Sequence, residues 1–94
     1  MKHEFVIDLK GVADIGALHD ALVANLPLPP EYGRNLDAFY DVLTEYGTDW
    51  RIVFRNAGRV APPLKAVCRD AVAETPGLEV VFEKKRRGVS RKRP

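Results

Sequence analysis

The sequence predicts a small α/β fold, a three-stranded parallel sheet covered by helices. Three observations lead there. Apolar, β-prone runs recur at Phe5-Val6-Ile7, Ile52-Val53-Phe54 and Val80-Val81-Phe82. Between consecutive runs lies helical spacing rather than a hairpin turn, and strands alternating with helices favour parallel pairing. Ninety-four residues with 46% hydrophobic content suit one core of modest size.

His3 to Leu9 reads as the first strand, broken by Gly11. From Ala13 to Leu26, Ile15, Leu18, Leu22 and Leu26 recur at helical spacing, and Pro27, with no N–H to donate, stops the run. The loop Pro27-Leu28-Pro29-Pro30 leads to a second helix from Asn35 to Glu45. Trp50 to Phe54 reads as the second strand and Asn56 to Gly58 as a turn. Pro62 and Pro63 open a third helix, because the first helical turn leaves unpaired the N–H groups that proline lacks. It runs to about Thr75 with Leu64, Val67, Cys68, Ala71 and Val72 inward, and Pro76-Gly77 ends it before the third strand, Leu78 to Phe82. The expected sheet is all parallel and excludes an antiparallel meander. Residues 1–83 form the domain, and 84–94 form a basic, flexible tail.

The second helix carries the chemistry. Asn35 is placed to cap it, taking a backbone N–H of the first turn, with Tyr32-Gly33-Arg34 as the loop leading in and Gly33 supplying a permissive backbone. At roughly 100° per residue, Leu36, Phe39 and Leu43 share the core side, while Asp37, Asp41 and Thr44 share another, flanked by Tyr40 and Glu45. A solvated helix face is the plain reading of those acids. Against it, like charges four residues apart repel by a few tenths of a kcal/mol, and no Lys or Arg lies within the helix to compensate. The face therefore reads as a surface built to meet something basic.

Tyr32, Gly33, Asn35, Leu36, Asp37, Ala38, Asp41, Leu43 and Thr44 match a pattern of tyrosine, glycine, any residue, Asn-Leu-Asp-Ala, two aromatics, Asp, any residue, Leu-Thr. In this the chain resembles the barstar family, intracellular protein inhibitors of ribonucleases. The resemblance extends to Ala17-Leu18-His19, Leu28-Pro29 and Val67-Cys68-Arg69-Asp70-Ala71, and ends near Glu83. It implies that Asp41 is the central acid, seated in the enzyme's active site against the cations that hold RNA phosphate. It implies a second interface acid at Asp37, polar or backbone contacts from Thr44, Asn35 and Gly33, and an aromatic of the binding loop at Tyr32. Ala38, Tyr40, Glu45 and Tyr46 complete the partner-binding positions that it implies on this segment, and Asp70 on the late helix stands at the rim. Glu31 replaces an aromatic, Tyr40 and Tyr46 replace tryptophans, and Glu45 replaces a glycine, so the face is more acidic and less apolar than the family's best-known one. The implied partner is a basic extracellular or toxin ribonuclease held in a 1:1 complex.

Other functions find little support. Nothing approaches 18 consecutive apolar residues, and the start lacks a signal peptide's long apolar region, so the cytoplasm is the expected location and no membrane partner is expected. Cys68 is the only cysteine and can form no intramolecular disulfide, which suits a reducing compartment. His3 and His19 form no catalytic constellation, and His19 reads as structural or surface. Clusters of metal ligands and phosphate-cradling glycine loops are missing from the pattern, so the expectation is a non-enzyme without metal or cofactor.

The net charge of +2 hides an asymmetry. Residues 1–83 hold all 13 acids and 8 Lys and Arg, a net of −5, while residues 84–94 hold seven Lys and Arg and no acid, +7. The runner-up function is therefore a nucleic-acid-associated or regulatory module gripping phosphate with its tail, or a weak RNA contact made by the tail of an inhibitor. The tail has no aromatic on which a base could stack, and the acidic domain repels nucleic acid.

Overall fold

The computed structural model describes residues 2–83, and the basic segment 84–94 lies outside the described residues. The chain runs β1 (His3–Asp8), α1 (Ile15–Asn25), α2 (Leu36–Tyr46), β2 (Trp50–Arg55), α3 (Ala61–Glu74) and β3 (Glu79–Glu83). Short 3-10 turns at Gly47–Asp49 and Gly58–Val60 precede β2 and α3. The strands pair in the order β1-β2-β3, and both pairs are parallel, as the alternating pattern predicts.

That order decides where the helices go. Both crossovers step the same way across the sheet, and a right-handed crossover fixes the face on which its helix lands, so all three helices share one face. The side chains follow. Phe5, Ile52 and Val80 are in register, as are Ile7, Phe54 and Phe82, and both rows join the core under the helices. Between them, Glu4-Arg51-Glu79, Val6-Val53-Val81 and Asp8-Arg55-Glu83 alternate onto the other face. There two ionic rungs flank an apolar one: Arg51 Nε meets Glu4 at 3.0 Å and Arg55 Nε meets Glu83 at 2.8 Å. All-parallel sheets are ordinarily buried on both faces. Here, among the described residues, the helices cover one face only.

Local chemistry sets the helix limits. Asp14 caps α1, its side chain accepting from Ala17 N at 2.8 Å, a start signal that moves the first helical residue beyond Ala13. Pro62 and Pro63 lie in the first turn of α3, and Thr75 closes it. Gly77 has φ 97°, and a Cβ there would collide with the Thr48 carbonyl, so glycine is required. The core gathers Ile7, Leu9, Leu18, Leu22, Phe39, Leu43, Ile52, Phe54 and Leu64. Three stripe positions differ from simple periodicity. Ile15 and Val72 are exposed, one at the start of α1 and one in the groove between α3 and β3, and Val42 turns inward beside Phe39 and Leu43. No helix among the described residues is long and apolar enough to cross a membrane.

Candidate functional site: an acidic helix face and its loop

The loop before α2 is built by three adjoining contacts. Asn35 is the N-cap, its Oδ1 accepting from Ala38 N at 2.7 Å while its Nδ2 donates to the Gly33 carbonyl at 3.3 Å. The turn's left-handed residue is Arg34, at φ 58°, rather than Gly33. Gly33 serves a different need than conformational freedom: a Cβ there would lie 3.3 Å from Ala38 Cβ and 3.4 Å from Asn35 Nδ2. Its missing side chain lets the loop close against the first turn of α2.

From this head the acids follow the helix. Asp37, Asp41 and Glu45 are spaced four apart and are exposed, so their carboxylates form one stripe along α2. Asp37 lies in the first turn, where the positive end of the helix dipole favours it. Glu45 lies in the last turn, where the dipole disfavours it and no basic residue offsets it. Among the described residues none of the three takes part in a salt bridge, whereas Glu4, Asp20, Asp49, Glu79 and Glu83 all do. The stripe is thus a run of three carboxylates without an ion-pair partner, whereas five of the domain's ten other acids have one.

The remaining predicted site residues surround it unequally. Tyr40 is half-buried against the core, and Tyr46 is exposed at the helix end. The Thr44 hydroxyl donates back to the helix carbonyls of Tyr40 at 3.0 Å and Asp41 at 3.2 Å, which leaves its oxygen free only as an acceptor. Ala38 is half-buried where the loop touches the helix. Asp70 is exposed on α3, the helix packed against α2.

Tyr32 has a second role that the sequence does not show. Its ring is half-buried, and its hydroxyl lies 2.7 Å from Nδ1 of His19, a side chain on α1 that is 1% exposed. Burial pushes the Tyr32 phenol up to about 12. One residue further along α1, Asp20 pairs with Arg34 of the same loop. The loop is thus tied to α1 at two alternate positions by two consecutive residues. The 13 and 14 residues separating these partners put both contacts beyond local pattern reading.

The described surface includes the following clefts. Two, of about 490 and 370 Å³, share Lys65 and Phe82 on the α3 and β3 side. The third, of about 210 Å³, lies behind the loop between Val23, Leu28, Pro29, Pro30, Tyr32 and Arg34. Asp37, Asp41 and Glu45 line none of them. Cys68 is 2% exposed, and burial pushes its thiol up to about 12, so it packs as a small hydrophobe rather than acting as a thiolate. No group of three or more metal-ligating side chains occurs among the described residues.

A small sheet carrying a helix with three exposed acids in no salt bridge has the build of a binding protein. Residues 2–85 match the family described as Barstar (barnase inhibitor), and the chain belongs to that family, one of inhibitors rather than enzymes. A Bacillus subtilis (strain 168) protein named "Putative ribonuclease inhibitor YrdF" is 46% identical over 41 residues. That stretch covers 44% of this chain and 45% of the relative, so the likeness spans less than half of either.

Proposed function

We propose that the chain inhibits a basic microbial ribonuclease, forming a 1:1 complex in which the α2 stripe and the loop Tyr32 to Asn35 cover the enzyme's active site. The observation that carries this reading is the stripe itself: Asp37, Asp41 and Glu45 are exposed, one helical turn apart, and in no salt bridge among the described residues. A ribonuclease presents Lys, Arg and His to hold a phosphate and to stabilise the charge that develops as it is cleaved. Carboxylates fixed on a helix occupy those cations and offer no bond to cut. Asp41, in the middle of the stripe, takes the central position. Asp37 and Glu45 flank it, Gly33 and Asn35 offer loop backbone and amide, Thr44 offers an acceptor, and Ala38, Tyr40 and Tyr46 supply packing surface. Asp70 adds charge at the rim. The chain acts in the cytoplasm, where its single thiol stays reduced and where a ribonuclease that reaches RNA is toxic.

The unmatched charge also sets the speed of capture, because opposite potentials steer the two proteins together before contact. Titrating the chain into a fixed amount of such a ribonuclease tests the reading. Cleavage of RNA is expected to fall linearly and to end at one chain per enzyme. Undiminished cleavage in molar excess, with the chain bound to the RNA itself, would instead favour the nucleic-acid module.

A further inference from the structure

Between α3 and β3 runs a groove that the acid stripe does not line. Its two clefts, of about 490 and 370 Å³, share Lys65 and Phe82 and extend from Gly58, just before α3, to Val72 in its last turn. We propose that this groove is a second docking site, which takes an extended acidic segment of another protein as a fourth strand beside β3, with its carboxylates on Lys65 and Arg69.

The strand and the helix each supply part of the site. β3 is the last strand of the sheet, paired with β2 on one side and, among the described residues, with nothing on the other. Such an edge offers a row of backbone N–H and C=O groups to a chain laid along it. Apolar side chains face the same place: Val72 is exposed, and Val80 and Phe82 are half-buried. Lys65 and Arg69 rise into the groove one helical turn apart, where like charges repel, and neither takes part in a salt bridge among the described residues. Glu83, the acid that lines the groove, is held by Arg55 at 2.8 Å. The repeats also agree. Four helical residues rise about 6 Å and two strand residues advance about 6.6 Å, so carboxylates two positions apart on the added strand meet Lys65 and Arg69 in turn. From Ala61 to Val72 the helix rises about 16 Å, a length that roughly six extended residues fill.

Other occupants fit the groove less well. A second copy docked edge to edge about a two-fold axis would set β3 against itself, acid opposite acid at Glu79 and Glu83, and would crowd two sets of Lys65 and Arg69 together. Residues 84–94 hold seven Lys and Arg and no acid, the same sign of charge as Lys65 and Arg69. RNA could place phosphate on the two cations, but its bases need an open aromatic face. The Phe82 ring is already stacked on Phe54, with centroids 5.2 Å apart, and covered by Lys65, whose Nζ lies 5.5 Å from its centroid. A carboxylate-bearing strand asks for no such face.

The test titrates a synthetic heptapeptide, valine-threonine-glutamate-threonine-glutamate-threonine-valine, into the full-length chain and follows the chain's backbone amides by NMR. The amides of β3 and of α3 from Lys65 to Val72 are expected to shift together and to saturate at one peptide per chain. Replacing both glutamates by glutamine, or combining Lys65→Gln with Arg69→Gln in the chain, is expected to weaken binding about tenfold, the joint worth of two exposed ion pairs. Both substituted side chains are exposed, so the variant keeps its fold. Methylating one alternate set of the peptide's backbone nitrogens should abolish binding and methylating the other set should spare it, because a strand turns alternate N–H groups toward its neighbour. Amides that stay still, shifts confined to other surfaces, or a glutamine peptide that binds as tightly overturn the proposal. So do two methylated peptides that bind alike, an RNA oligonucleotide that displaces the heptapeptide, or a chain that sediments as a dimer cross-linked through β3.

Discussion

Asp41 sits in the middle turn of α2 with Asp37 one turn before it and Glu45 one turn after, so any cationic cleft that accepts the helix closes most completely around Asp41. Asp41→Ala is expected to weaken ribonuclease binding by roughly 3–5 kcal/mol, a loss of about a hundredfold to several thousandfold, because the enzyme's cations stay desolvated and unpaired. That size is borrowed from charge pairs in complexes that include this family's own. Asp37→Ala and Glu45→Ala should cost less and act mainly on the association rate. The Asp41 variant should unfold at the wild-type temperature, since the side chain is exposed on the side opposite Phe39 and Leu43; dissociation constants and thermal melts decide both points. At this scale the sequence is legible where one residue answers to its neighbours, as Asn35 does in capping Ala38 N. It is less so in the turn, where glycine's freedom points to Gly33 as the left-handed residue but the ion pair with Asp20 accompanies that conformation at Arg34. It is silent on His19, whose partner comes from a loop folded back after α1.

At the scale of elements, α2 is a helix whose stability and surface charge are at odds. Its N-terminal end is well made, with an Asn cap and Asp37 in the first turn, but its C-terminal end carries Glu45 against the dipole and four residues from Asp41. Glu45→Lys reverses both unfavourable terms and creates an opposite-charge pair with Asp41. It should stabilise the folded chain by about 0.5–1 kcal/mol. The same substitution should weaken and slow ribonuclease binding, so chemical denaturation and inhibition measured side by side are expected to move in opposite directions. Gains in both would mean that the stripe's charge at that end serves no partner. The helices and strands themselves were readable because each carries its own period and its own stop: Pro27 after α1, Pro62 and Pro63 opening α3, Gly77 after it. Their ends shift by a residue or two where a cap such as Asp14 outweighs apolar spacing. Val72 shows the limit of periodicity, since an apolar residue at helical spacing lies exposed where α3 overhangs the edge of the sheet beside β3.

For the whole molecule, the parallel sheet follows from the alternation of elements, but its one-sided covering depends on strand order, which no local pattern states. That order leaves the charged rungs on one side of the molecule and the acid stripe on the helical side. The fold also predicts how stability responds to acid. The pKa of His19 in the folded chain lies below the 6.5 of an ordinary histidine, so the unfolded chain binds a proton that the folded one resists. Stability should be complete above about pH 6.5 and decline as the pH falls through the lowered folded value. Asp8, whose carboxyl is held below 3.8 chiefly by the Asn56 side chain and then by the Lys10 N–H, adds a loss only in stronger acid. Melting temperatures from pH 8 to pH 5 check the sign, and His19→Gln should flatten the curve in that window; a wild-type chain that gains stability on acidification would contradict the buried, unpaired histidine.

The central claim is that the α2 stripe takes the place of RNA phosphate in a ribonuclease active site. Its most direct measurement is competition between the chain and an active-site nucleotide monophosphate for one ribonuclease molecule, followed by displacement of the labelled nucleotide. The account predicts mutually exclusive binding, with the apparent affinity of each ligand falling in proportion to the concentration of the other. A ternary complex of enzyme, nucleotide and chain, with each bound as tightly as alone, would contradict it.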